Sequence, residues 1–139
     1  LKPLLASIAG ITLLGAMPPS EDPEPPGRGV LCGAVFVYFA QVQGQLCYPN
    51  DDPEFQARLS SWAQQFDAYL IRNLPDGEQG LQTFKAHQGV APTTDQRICT
   101  LDDDSKVYEH MRDGDREMWE RGMTKVLSRD GPPSFGDCV

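Results

Sequence analysis

The chain predicts an all-α fold, a small bundle of four to five helices tied by two disulfides after a signal peptide and a proline-rich linker. Three observations carry this reading. Apolar residues recur at helical steps through the middle of the chain. The longest apolar run has no second strand to pair with. The four cysteines are even in number and are not spaced like metal ligands.

The elements follow in order. Leu1-Lys2-Pro3 precedes an apolar stretch from Leu4 to Leu14 that ends in Gly15-Ala16. One cation, a short apolar run and a small-residue end have the shape of a secretory signal peptide over residues 1–16. The run is too short for a comfortable transmembrane helix, which needs roughly 20 apolar residues. Residues 17–29 carry Pro18, Pro19, Pro23, Pro25 and Pro26 among Glu21, Asp22 and Glu24, a composition that favours an extended linker.

The folded domain is expected over residues 30–139. Val30 to Ala40 is apolar almost without pause, and Val35–Phe39 has high strand propensity. A lone strand would leave its backbone donors unpaired, whereas Leu31, Val35, Tyr38, Val42 and Leu46 also fit helical spacing. The expectation is therefore a central, largely buried helix.

The next helix has the clearest signals. Asp52 can cap it, Pro53 suits the first helical position, and Glu54 suits the positive end of the dipole. Phe55, Leu59, Trp62, Phe66 and Leu70 recur at steps of 4, 3, 4 and 4, and Asn73-Leu74-Pro75 stops the run. A third helix is expected from Asp76 to Gln88, with Gln79 at the capping-box position, Leu81 and Phe84 inward and Gly89 as terminator. Asp102–Ser105 start a further stretch carrying Val107, Tyr108 and Met111. Gly114 breaks it, and Asp115 restarts a helix carrying Met118, Trp119, Met123, Val126 and Leu127. Asp130-Gly131-Pro132-Pro133 cannot continue a helix.

The first helix decides the disulfides. Cys32 and Cys47 at its two ends stand ~20 Å apart at 1.5 Å per residue, far beyond disulfide reach. Walking an up-down bundle brings Cys99 to the Cys47 end and leaves Cys138 for Cys32. Two disulfides imply an oxidising compartment, the periplasm or the cell exterior.

Charge and motifs bound the function. The formal net charge is −8, from 20 acidic and 12 basic residues. That excludes a basic nucleic-acid footprint and charge-driven recruitment to anionic lipid. Cleavage after Ala16 would remove Lys2 and leave −9, with no membrane attachment thereafter. There is no Gly-x-Ser-x-Gly elbow, P-loop or dinucleotide fingerprint, so neither a cofactor nor a metal is expected. The segment from Asp113 fails as a calcium loop, because Met118 stands where glycine is required and Thr124 where the bidentate Glu belongs.

His87 suits a helix end. His110, with a carboxylate to orient it, could serve a hydrolase acting on an extracellular polymer, as could the acid pairs Glu54/Asp67 or Glu109/Glu117. A pocket between the helices could carry an apolar small molecule. The leading expectation is a non-enzymatic interaction protein whose acidic surface meets a basic protein partner. Trp119, set between Arg116 and Arg121 in a charged surround, is its candidate contact.

Overall fold

A computed structural model describes residues 23–136 and 138; the expected signal peptide, and the linker up to residue 22, lie outside the described residues. All regular structure among the described residues is helical: α1 (Val30–Cys47), α2 (Pro53–Asn73), α3 (Gly77–His87), α4 (Val107–Asp113) and α5 (Arg116–Leu127). Two 3-10 turns, Gln96–Thr100 and Asp103–Ser105, lead into α4.

The ambiguous apolar run is helix, as expected, and it forms the centre of the bundle. α1 is long and apolar enough to cross a membrane, yet α2, α4, α5 and the first 3-10 turn all pack against it. Its glycines permit the close approach. A Cβ on Gly33 would stand 2.8 Å from the Phe66 ring of α2, and one on Gly44 would stand 2.7 Å from the Tyr108 ring of α4. The core joins Val30, Ala34, Val37 and Tyr38 of α1 to Phe55, Leu59, Phe66 and Leu70 of α2, with Leu81, Tyr108, Met111 and Met123 closing it.

α2 begins and ends where local chemistry places it. The Asp52 carboxylate accepts from the Phe55 N–H at 2.9 Å, Pro53 occupies the first turn, and the helix stops before Leu74-Pro75. The Asp115 carboxylate likewise caps α5, accepting from the Met118 N–H at 3.1 Å. Two starts differ from expectation. Asp76 precedes α3 but makes no side-chain cap bond; its backbone carbonyl accepts from Gln79 and Gly80. The stretch from Asp102 is a 3-10 turn interrupted at Lys106 (ψ 64°), so the α-helix begins only at Val107.

Both disulfides join the pairs expected from the length of α1. Cys32–Cys138 and Cys47–Cys99 have Cα separations of 5.7 and 5.5 Å. One staples the start of α1 to the chain's end, and the other staples its finish to the first 3-10 turn. Crosslinks spanning 106 and 52 residues restrict the unfolded chain and stabilise the fold by typically 2–4 kcal/mol each.

The tail after α5 is irregular but anchored. The Tyr69 hydroxyl donates to the carbonyls of Arg129 (3.0 Å) and Gly131 (3.1 Å), and Asp130 accepts from Arg72 and Asn73. The tail then reaches residues 25–29, the end of the expected linker. Ser134 N–H donates to the Gly27 carbonyl, and Leu31 N–H donates to the Ser134 carbonyl. Gly27 is buried there at φ 84°, where any side chain would run into the Pro132 carbonyl. The chain just before α1 is thus packed onto the tail rather than extended away from it.

Candidate functional site: the outer face of α1 and α5

Trp119 stands on the first turns of α5, which the Asp115 cap holds in place. It is half-buried and edges the core, with its ring 6.5 Å from Phe36 of α1 at a tilted angle. Its indole N–H is buried and has no acceptor among the described residues. The N–H lies beside Gly114, where a Cβ would stand 3.1 Å away, so the bare glycine lets the ring tuck under the end of α4. Apolar surface remains outward beside it: Phe36 is 40% exposed and Met118 50%.

Arg116 and Arg121 stand on the same turns of α5, already paired. Arg116 contacts Glu120 at 3.0 Å and Glu54 at 3.6 Å, and Arg121 contacts Glu117 at 3.3 Å. Arg58 of α2 joins the same network through Glu54 (3.0 Å) and Glu120 (3.8 Å). These charges neutralise one another across α5 and α2, on the same helix turns as Trp119 and Met118.

The groups considered for acid–base chemistry are spread out. Glu54 and Asp67 lie 13 residues apart on α2, about 20 Å along one helix. Asp67 accepts from the buried Tyr38 hydroxyl at 2.6 Å and pairs with Lys85 at 2.8 Å. Burial and the Asp67 carboxylate hold Tyr38 protonated well above the usual phenol range. Glu109, on α4, bonds the Tyr48 hydroxyl, while Glu117, on α5, holds Arg121.

His110 lines a surface cleft of about 490 Å³ with Asp103, Lys106, Glu109 and Asp113. Its Nε2 lies 2.8 Å from the Asp103 backbone carbonyl, which fixes Nε2 as the protonated nitrogen. The surrounding carboxylates face other partners: Asp103 pairs with Lys106 at 2.7 Å and Asp113 with Arg112 at 2.8 Å. Those cations hold both carboxyls below the usual range. His87 is exposed in the last turn of α3. Among the described residues no group of three or more His, Cys, Asp or Glu side chains is set to hold a metal ion.

Sequence reasoning missed two features. One is a stack of Tyr48 on Tyr108, with centroids 4.8 Å apart, continued by bonds from Tyr108 to Asp51 and from Arg112 to Asp51. The other is a cleft of about 420 Å³ between residues 24–29 and the end of α5, whose lining includes Arg28, Lys125 and Arg129. The pattern Gly27-Arg28-Gly29 after the prolines was its only local signal. No protein-family model, curated protein or solved structure matches this chain.

Proposed function

We propose that this is an exported, acidic accessory protein that acts by binding a basic protein partner rather than by catalysis. The observation that carries the reading is exposed apolar surface around the first turns of α5, Met118 on that helix and Phe36 against Trp119, with the ion pairs Arg116–Glu120 and Arg121–Glu117 on the same helix. Aromatic and methionine side chains are enriched at protein interfaces, which makes exposed Phe36 and Met118 suitable contacts.

The net charge of −8 selects a basic partner through long-range attraction, which acts mainly on encounter rate and is screened by salt. The two disulfides support a periplasmic or extracellular address. They also favour a rigid binding surface. Two competing readings have less support. The side chains a hydrolase would need face structural partners on separate elements. The bundle interior that a carrier would need is filled by Phe66, Leu70, Val37 and Ala40, all without exposure.

The test is capture of a partner from periplasmic extract or culture fluid at low and high salt, using the intact chain and Met118→Glu. The reading expects a basic protein retained at low salt, weakened at high salt, and lost with Met118→Glu. No retained protein at either salt, or one indifferent to Met118→Glu, overturns it.

A further inference from the structure

Between Val90 and Ser105 the chain passes the end of α1 as a strap, fixed at both ends and lightly held between them. Val90 is 3% exposed and belongs to the core, and the Ser105 carbonyl accepts from the buried Gln43 amide of α1. None of residues 91–101 is buried, and Pro92 to Arg97 are all exposed. Among the described residues, the strap's hydrogen bonds and its ion pair stay inside it. Asp95 pairs with Arg97, the Thr93 hydroxyl accepts from the Asp95 N–H, and the Thr100 hydroxyl donates to the Arg97 carbonyl. The 3-10 turn Gln96–Thr100 lies against α1 with no buried side chain of its own. What ties it there is the bond from Cys99 to Cys47, the last residue of α1.

Cys32–Cys138 is held differently. The Leu31 N–H, next to Cys32, donates to the Ser134 carbonyl at 3.2 Å, and the Ser134 N–H donates to the Gly27 carbonyl at 3.0 Å. Tyr69 and Arg72 anchor the same tail. With this disulfide broken, the two thiols remain neighbours. With Cys47–Cys99 broken, Cys99 is retained only through the chain to Val90 and Ser105. The effective concentration of one thiol at the other sets how firmly a disulfide resists exchange, and it is lower for the strap. Access protects neither bond, since Cys138 is exposed and Cys32, Cys47 and Cys99 are half-buried.

We propose that Cys47–Cys99 is a redox-operated clasp: a dithiol reductant opens it and releases residues 91–101 from the end of α1, while Cys32–Cys138 and the helical bundle stay in place. One reductant thiolate attacks a sulfur of the pair, forming a mixed disulfide and displacing the other cysteine as a thiolate, which takes a proton. The reductant's second thiol loses its proton and attacks the mixed disulfide, displacing the remaining cysteine, which is protonated in turn. Two electrons pass to the protein, and the dithiol becomes a disulfide. Gln43 keeps α4 on α1 through the opening, because its bonds to the Ser105 carbonyl and the Tyr108 N–H lie outside the strap. The opened state presents two thiols, one on the last turn of α1 and one on the released strap.

The test equilibrates the intact, disulfide-bonded chain with graded ratios of reduced to oxidised dithiothreitol, followed by alkylation with peptide mass mapping and by amide NMR. The proposal expects Cys47 and Cys99 to be alkylated at a ratio about tenfold lower than Cys32 and Cys138. At that ratio the amide shifts of residues 91–101 should move toward random-coil values while those of α2 and α5 stay in place. Oxidised dithiothreitol should then restore the first spectrum. Cys47→Ser/Cys99→Ser should show the opened spectrum without any reductant. Opening of both disulfides at one ratio, or of Cys32–Cys138 first, overturns the proposal. So do strap shifts that stay unchanged once Cys47 and Cys99 are alkylated. Loss of the α2 and α5 signals on opening, or a Cys47→Ser/Cys99→Ser chain that does not fold, overturns it too, by making the bond a condition of the whole bundle.

Discussion

Replacing Gln43 with leucine removes the polar bracket that ties α1 to α4. Gln43 is 2% exposed in a largely apolar helix. Its amide donates to the Ser105 carbonyl at 2.9 Å and accepts from the Tyr108 N–H at 3.0 Å. Leucine has nearly the same volume and good helix propensity, so the change isolates the two hydrogen bonds. The Tyr108 N–H belongs to the first turn of α4, where no intrahelical partner exists, and would be left buried and unsatisfied at about 1–3 kcal/mol. The Ser105 carbonyl lies on a half-buried residue and costs nearer the low end of that range. Subtracting about 1 kcal/mol for the added apolar burial leaves a net loss of about 1–3 kcal/mol. In a domain of this size that lowers Tm by roughly 4–12 °C.

Urea unfolding followed by circular dichroism, with disulfides intact, measures the loss. Gln41→Leu is the control, since the only side-chain bond Gln41 makes among the described residues is a 3.4 Å contact with Ser60 between half-buried residues; it should cost less than about 0.5 kcal/mol. A loss below about 1 kcal/mol for Gln43→Leu, or one no larger than the control, would refute the bracket.

Further outcomes follow from the crosslinks and the titrating groups. Non-reducing proteolysis with mass spectrometry should recover only Cys32–Cys138 and Cys47–Cys99 peptides, and replacing Cys47 and Cys99 together by serine should cost about 4 kcal/mol from loop-closure entropy over 52 residues. On the acid side, Arg112 lowers the Asp51 and Asp113 carboxyls, and Arg97 lowers Asp95 to about 2. Folded values below unfolded ones contribute stability that is present above about pH 4 and lost as pH falls toward 2. Urea midpoints should decline across that window, less steeply in Arg112→Met. On the alkaline side, burial raises Tyr38, and raises Tyr108 to about 12. Their contribution is full below about pH 10 and lost as pH climbs toward 12. Tyrosinate absorbance should therefore show a late, unfolding-coupled phase.

How much of this was legible in the sequence depended on the range of the forces involved. α2 could be bounded to the residue because Asp52-Pro53 and Leu74-Pro75 act within one turn. The disulfide pairing could be reached because the length of a helix between Cys32 and Cys47 is itself a long-range constraint. α1 is apolar nearly all round because it is contacted from several sides. The helical spacing of Leu31, Val35, Tyr38, Val42 and Leu46 therefore competed with strand propensity until the lack of a partner strand decided it. The 3-10 turn Gln96–Thr100 has no buried residue, so no apolar pattern marked it. Trp119 stood out as a candidate contact from its charged neighbours, and it is half-buried. Its packing depends on Gly114 and Phe36, the second distant in sequence. The cationic cleft was hidden for the same reason, because Gly27 and Pro132 meet across the whole chain.

The binding reading is tested most directly by a photo-crosslinking side chain placed at Met118 and, separately, at exposed Gln82 on α3, in cells exporting the protein. The account predicts a discrete adduct from position 118 that diminishes at high salt, and none from position 82. No adduct from position 118, or the same adduct from both positions, would contradict it.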